Sequence, residues 1–180
     1  IGKSWVLSAM GAYAISQGKN VVHYTLELNE SYVGLRYDSI FSGVEGQNLM
    51  YHKDEVLEKV EKVEGDLTIK YYPTRSCTVN TLSAHIKKAT SFGAEVDMIL
   101  VDYADIMRDV SKSTEMRHQL GNIYEDLRGL AGEMQIPIWT ASQANRSALD
   151  EDVIDASKVA ESYAKVMTAD FVISVSRKIE

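Results

Sequence analysis

Short apolar runs alternate with longer amphipathic ones along this chain. Residues 21–26, 67–71, 98–101, 136–141 and 171–175 are short and rich in β-branched and aromatic side chains, so each is a predicted strand. Between them the spacing predicts helices. Residues 3–16 carry Ala, Met, Leu and Ile with few breakers, and Asn29 is placed to cap a helix running to about Phe41. Residues 54–63 are charged but set Val56, Leu57, Val60 and Val63 on one face. Asn80 is placed to cap a helix through Ala89, and residues 115–134 carry Leu120, Ile123, Leu127, Leu130 and Met134 at helical spacing. Strands that alternate with helices in this way predict an α/β fold. The sheet is mostly parallel, with helices on both faces. In such sheets ligands bind at the carboxyl ends of the strands.

Composition narrows the reading. The 180 residues suit one compact domain, and the only two prolines, Pro73 and Pro137, stand in no Gly/Ser-rich linker. Lys and Arg total 19 against 26 Asp and Glu, a formal charge of −7. That excludes a globally basic nucleic-acid coat, so any binding to an acidic polymer has to come from a local patch. A single cysteine, Cys77, excludes an internal disulfide framework and a Cys-cluster metal site, and fits a reducing, cytosol-like compartment. No apolar run is long enough to span a bilayer, and the start does not read as a signal peptide.

Candidate chemistry gathers where the predicted strands end. Gly2-Lys3-Ser4 opens a helix and matches the close of G-x-x-x-x-G-K-[ST], the phosphate-binding loop. There, backbone N–H groups cradle phosphate, the lysine reaches the outer phosphates and the hydroxyl ligates Mg²⁺. Alone, the tripeptide is equally an ordinary helix start. Asp102 ends the apolar strand Ile99-Leu100-Val101, where a parallel-sheet nucleotide hydrolase holds its Mg²⁺ through an acid; a strand-ending Asp also serves as a simple cap. Glu27 follows the first predicted strand, placed to activate a water, or to stand solvated beside Glu30. Ser142-Gln143 follows residues 136–141, placed to sense a γ-phosphate, or to be polar loop. Four such residues, each at a strand's carboxyl end, together point to nucleotide binding.

The order of these motifs is G-K-S and helix, Y-T-L-E-L, I-L-V-D-Y, A-S-Q-A-N-R, then T-A-D-F-V. It resembles the RecA-type motor domain of the DnaB-like replicative helicases. Tyr71-Tyr72-Pro73-Thr74 ahead of a helix brings it nearer the phage-type members. The resemblance covers essentially the whole chain. It implies a RecA-like P-loop NTPase core over residues 1–180, truncated at both ends and lacking the N-terminal interaction domain. The implied activity is ATP-dependent unwinding of duplex DNA at replication forks by a hexameric ring translocating on single-stranded DNA, in the cytoplasm of a bacterial or phage-infected cell. ATP and Mg²⁺ are the implied cofactors, primase or a helicase loader the implied partners, and no membrane is involved.

The resemblance also implies roles. Gly2, Lys3, Ser4 and Asp102 bind nucleotide, with Ser4 and Asp102 on Mg²⁺. Glu27 is the catalytic glutamate, and Gln143 couples hydrolysis to DNA. Residues 108–118 and 145–162 fall where the family lines its channel, which makes Arg108, Lys112, Arg117, Arg146 and Lys158 the candidate DNA contacts. Two departures stand out. The family's Arg-Glu-Ser-Gly is here Ala160-Glu161-Ser162-Tyr163, so Arg146 or Lys158 has to supply the phosphate contact. The trans-acting arginine finger lies beyond residues 171–175 and is expected to be absent. A RecA/KaiC-like recombination or signalling ATPase, or a ring-forming binding module without turnover, are the alternative readings.

Overall fold

Four strands form one sheet: β1 (Val21–Thr25), β2 (Leu67–Tyr71), β3 (Met98–Asp102) and β4 (Ile138–Thr140). Their order is β2-β1-β3-β4, and every pairing is parallel. The computed structural model describes residues 2–111, 115–143 and 164–175. Its helices are α1 (Lys3–Ser16), α2 (Glu30–Ser42), α3 (Lys53–Val60), α4 (Val79–Ser91), α5 (Met116–Met134) and α6 (Ala164–Thr168).

The apolar runs of β1 and β3 are buried on both faces, as covered parallel strands must be. Alternation then divides their side chains between two cores. Val22, Tyr24, Ile99 and Val101 pack with Leu82 and Ile86 of α4 and with Ile123, Leu127 and Leu130 of α5. On the other face Val21 and Leu100 pack with Leu7 and Ile15 of α1 and with Val33 and Tyr37 of α2. Gly11 permits the close crossing of α1 over this face, because a Cβ there would overlap the Tyr37 hydroxyl and Leu100. The chain leaves β1 toward β2 on one side and returns to β3 on the other. The sheet therefore has its switch point between β1 and β3, where a parallel sheet opens a crevice at its carboxyl edge.

Three sequence expectations need correction. Residues 171–175 form no strand: Phe171, Val172, Ile173 and Val175 are exposed, and none of the four described strands pairs with them. A β-branched run becomes a strand only with a paired neighbour. Thr78 rather than Asn80 caps α4: its hydroxyl accepts from the Thr81 amide and Thr81 returns the bond, a reciprocal capping box. The third helix ends at Val60, and of its apolar face Val56 is buried while Leu57 stands exposed. Trp5 is half exposed and carries the Arg36 guanidinium 5.2 Å from its ring centre.

Candidate nucleotide site

The turn after β1 is fixed by its own side chains. The Thr25 hydroxyl donates to the Leu28 carbonyl at 2.7 Å and accepts from the Leu28 amide at 3.3 Å. Asn29 then caps α2 by accepting from the Tyr32 amide. This closed loop leaves Glu27 exposed at its crest. Across the sheet Thr25 stands in register with Asp102, and the Leu26 amide donates to the Asp102 carbonyl at 2.9 Å. Glu27 and Asp102 thus flank the switch point because of strand register alone.

The amino end of α1 faces the same edge. Gly2 precedes the helix with φ 95°, a left-handed conformation that glycine adopts without steric cost, and no side chain caps the first amides. Unclaimed N–H groups and the positive end of the helix dipole suit an anion. The Lys3 ammonium lies 3.9 Å from the centre of the Tyr103 ring, one residue past Asp102.

Asp102 is 1% exposed, and neither of its carboxylate oxygens completes a hydrogen bond. Burial pushes its pKa up, and Glu27 adds to the rise; the nearby Ser4 hydroxyl, Arg36 and Lys3 pull it back. Ser4 approaches the carboxylate without reaching full hydrogen-bond geometry to either oxygen. A buried, unpaired carboxylate beside a hydroxyl is a costly arrangement unless a cation completes it. The donors are hard oxygens. Among the described residues no three His, Cys, Asp or Glu side chains converge on a metal, so the protein offers one carboxylate and one hydroxyl. That set fits Mg²⁺, which keeps several waters and shares its shell with substrate phosphates.

Arg36 was not singled out by sequence. It sits on the inward face of α2 between Val33 and Tyr37, close enough to bear on Asp102, and its Nη1 is buried without a partner. The readable signal is a lone arginine on an otherwise apolar helix stripe. With Trp5, Leu28, Tyr32, Leu35 and Gly46 it lines an open cleft of ≈ 330 Å³ beside the edge. Sequence reasoning also passed over Asp105 and Lys165, which bond to Ser142.

The remaining predicted residues spread outward. Gln143 is exposed three residues past β4, at the carboxyl edge. Arg108 is exposed after the 3₁₀ turn Ala104–Ile106, its amide bonded to the Cys77 carbonyl at 2.9 Å. Arg117 is exposed on the first turn of α5. Lys112, Arg146 and Lys158 lie outside the described residues.

Comparisons agree with this architecture. A family model described as the DnaB-like helicase C terminal domain matches residues 1–179. A DnaB-like replicative helicase of Enterobacteria phage T4 is 30% identical over 193 residues, covering 97% of this chain and 39% of the relative. The replicative DNA helicase DnaB of Helicobacter pylori is 27% identical over 158 residues, covering 84% of this chain and 32% of that one. The chain therefore spans well under half the length of these curated relatives. A solved ATPase domain shares the fold with TM-score 0.74 at 14% identity, covering 91% of this chain and 62% of that one. A solved DnaB-like replicative helicase, studied with its primase interactions, shares it with TM-score 0.72 at 14% identity, covering 91% of this chain and 44% of that one. An all-parallel strand order and a family match across nearly the whole length lead to one assignment: the chain belongs to the DnaB-like helicase C-terminal domain family.

Proposed function

We propose that this chain is the ATP-hydrolysing motor domain of a ring-shaped replicative helicase that unwinds duplex DNA while moving on single-stranded DNA. The observation that carries the reading is Asp102: a buried carboxylate with two unpaired oxygens, at the sheet's switch point, beside Ser4 and Glu27. Gly2 and the first amides of α1 cradle the phosphates, and Lys3 leaves Tyr103 to neutralise their outer charge. Ser4 and Asp102 would hold Mg²⁺, which when bound would neutralise charge that develops on the phosphates. Glu27, exposed at the crest of its turn, orients the attacking water and accepts its proton. Gln143 senses the γ-phosphate and passes its loss to the segments expected to face DNA.

Those segments carry Arg108, Lys112, Arg117, Arg146 and Lys158. Each subunit supplies a few phosphate contacts, and a hexameric ring multiplies them, so the chain's net charge of −7 is no obstacle. The protein works in the cytoplasm. Among the described residues no helix is long and apolar enough to cross a membrane. Primase is the partner that a structural neighbour points to, and a helicase loader is a second. Residues 1–180 form the RecA-like unit of a longer protein with a separate interaction domain.

The test is strand separation on a forked duplex by the protein that carries this chain. ATP-dependent unwinding, together with ATPase activity that rises on adding single-stranded DNA, is the expected result. Strand pairing without unwinding, or nucleotide binding without turnover, contradicts the reading.

A further inference from the structure

Four elements meet at a buried polar cluster at the carboxyl ends of β3 and β4. Asp105 lies in the 3₁₀ turn that follows β3, three residues beyond Asp102, and Lys165 lies in α6 with 2% of its side chain exposed. The Lys165 ammonium is 2.9 Å from Asp105 Oδ2 and donates to the Ser142 hydroxyl at 3.2 Å. Ser142 in turn donates to Asp105 Oδ2 at 3.0 Å. The Tyr124 hydroxyl of α5 donates to Asp105 Oδ1 at 2.8 Å, and its ring centre lies 5.6 Å from the ammonium. Burial and the Asp105 carboxylate hold the Tyr124 hydroxyl well above the usual phenol range, so it stays a donor.

Ser142 immediately precedes Gln143, and Asp105 belongs to the turn that continues from Asp102. The cluster therefore spans the two strand ends that carry the proposed cation carboxylate and the proposed γ-phosphate sensor. Removing a lysine and an aspartate from water is expensive, and an apolar pair of similar volume often stabilises as well or better. What the charged pair supplies instead is direction: the hydrogen bonds fix how the end of β4 lies against the turn after β3.

We propose that Asp105 and Lys165 are a positioning pair. They hold Ser142, and so the backbone that presents Gln143, in fixed relation to Asp102, and thereby set how strongly single-stranded DNA stimulates ATP hydrolysis. The proposal rests on the motor reading given above. Neither residue touches nucleotide; both act through Gln143.

The experiment compares Lys165→Met, Asp105→Leu and the double variant in the protein that carries this chain. It measures melting temperature, the affinity for a fluorescent ATP analogue, KM for ATP, and the ratio of DNA-stimulated to basal ATPase. Each single change breaks the buried Asp105–Lys165 ion pair, so melting temperature falls. The double change removes both charges, so melting temperature returns toward that of the unvaried protein. The stimulation ratio stays reduced in all three, by roughly 2- to 30-fold, with KM for ATP and analogue affinity little moved. Recovery of the ratio together with stability in the double variant assigns the pair a structural role only and overturns the proposal. An unvaried protein that hydrolyses ATP without any response to DNA overturns the motor reading, and this inference with it. A stimulated unvaried protein beside an equally stimulated double variant overturns this inference alone.

Discussion

The Lys3 ammonium rests 3.9 Å from the centre of the Tyr103 ring, so the proposed phosphate lysine is held one residue from the proposed cation carboxylate. A cation over an aromatic face at a partly exposed site gains about 0.5–1 kcal/mol, far less than a pairing with phosphate. The contact is strong enough to orient the side chain and weak enough to release it. Lys3→Ala is expected to weaken ATP binding by at least roughly tenfold, since a charge-assisted bond contributes about 1.5–3 kcal/mol. Tyr103→Leu is expected to change it only a few-fold. Titration with a fluorescent ATP analogue separates the two.

Asp102 is expected to trade stability against function. Its carboxylate is buried, unpaired and raised in pKa by burial, so the nucleotide-free fold carries a desolvation cost. Asp102→Asn removes the charge and keeps the shape. The melting temperature without nucleotide is expected to rise by roughly 2–4 °C for each kcal/mol relieved. Mg²⁺-dependent ATPase is expected to collapse. Calorimetry beside a phosphate-release assay measures both, and a lower melting temperature for the variant contradicts the assignment of Asp102 as a charge awaiting a cation.

His23 makes stability depend on pH. It is fully buried, 2.8 Å from the Tyr37 hydroxyl through Nδ1, with Nε2 unpaired. Burial, and secondarily the Arg36 charge, lower its pKa from 6.5 to about 4. The unfolded chain therefore binds the extra proton between those values while the folded one does not. This contribution is whole above about pH 6.5 and is lost as pH falls toward 4, to a total of about 3 kcal/mol. Asp102 acts in the opposite direction, because its folded pKa is raised. In melting curves across this window, His23→Gln is expected to flatten the slope. An unchanged slope contradicts a neutral buried imidazole.

Most of the sheet was legible because covered parallel strands are short, largely apolar runs, as at β1 and β3, and the edge strand β2 still reads by its alternation of apolar and polar residues. The strand-end positions of Glu27, Asp102 and Gln143 followed from where such runs end. Residues 171–175 have the same composition yet stand exposed, because pairing is decided by a neighbouring edge rather than by local pattern. Asn80 and Thr78 are both good caps, and what selects Thr78 is the return bond from Thr81, a three-residue relationship that single-residue preference does not contain. Arg36 and Lys165 were passed over because a charge on an inward helix face looks like a surface residue until tertiary packing surrounds it. The carboxylates they act on lie 66 and 60 residues away: Asp102, which Arg36 influences through its charge, and Asp105, which Lys165 pairs with.

The central claim is that the edge bounded by α1, β1 and β3 hydrolyses ATP with Glu27 as base. Its most direct test is phosphate release at saturating ATP and Mg²⁺, with and without single-stranded DNA, for the unvaried protein and for Glu27→Gln. The amide keeps the size of the carboxylate but accepts no proton at neutral pH. The account predicts a fall of roughly 10²–10⁴ in turnover under both conditions, with the fluorescent ATP analogue still bound at near-normal affinity. Normal turnover by Glu27→Gln, stimulated by DNA as in the unvaried protein, would contradict it.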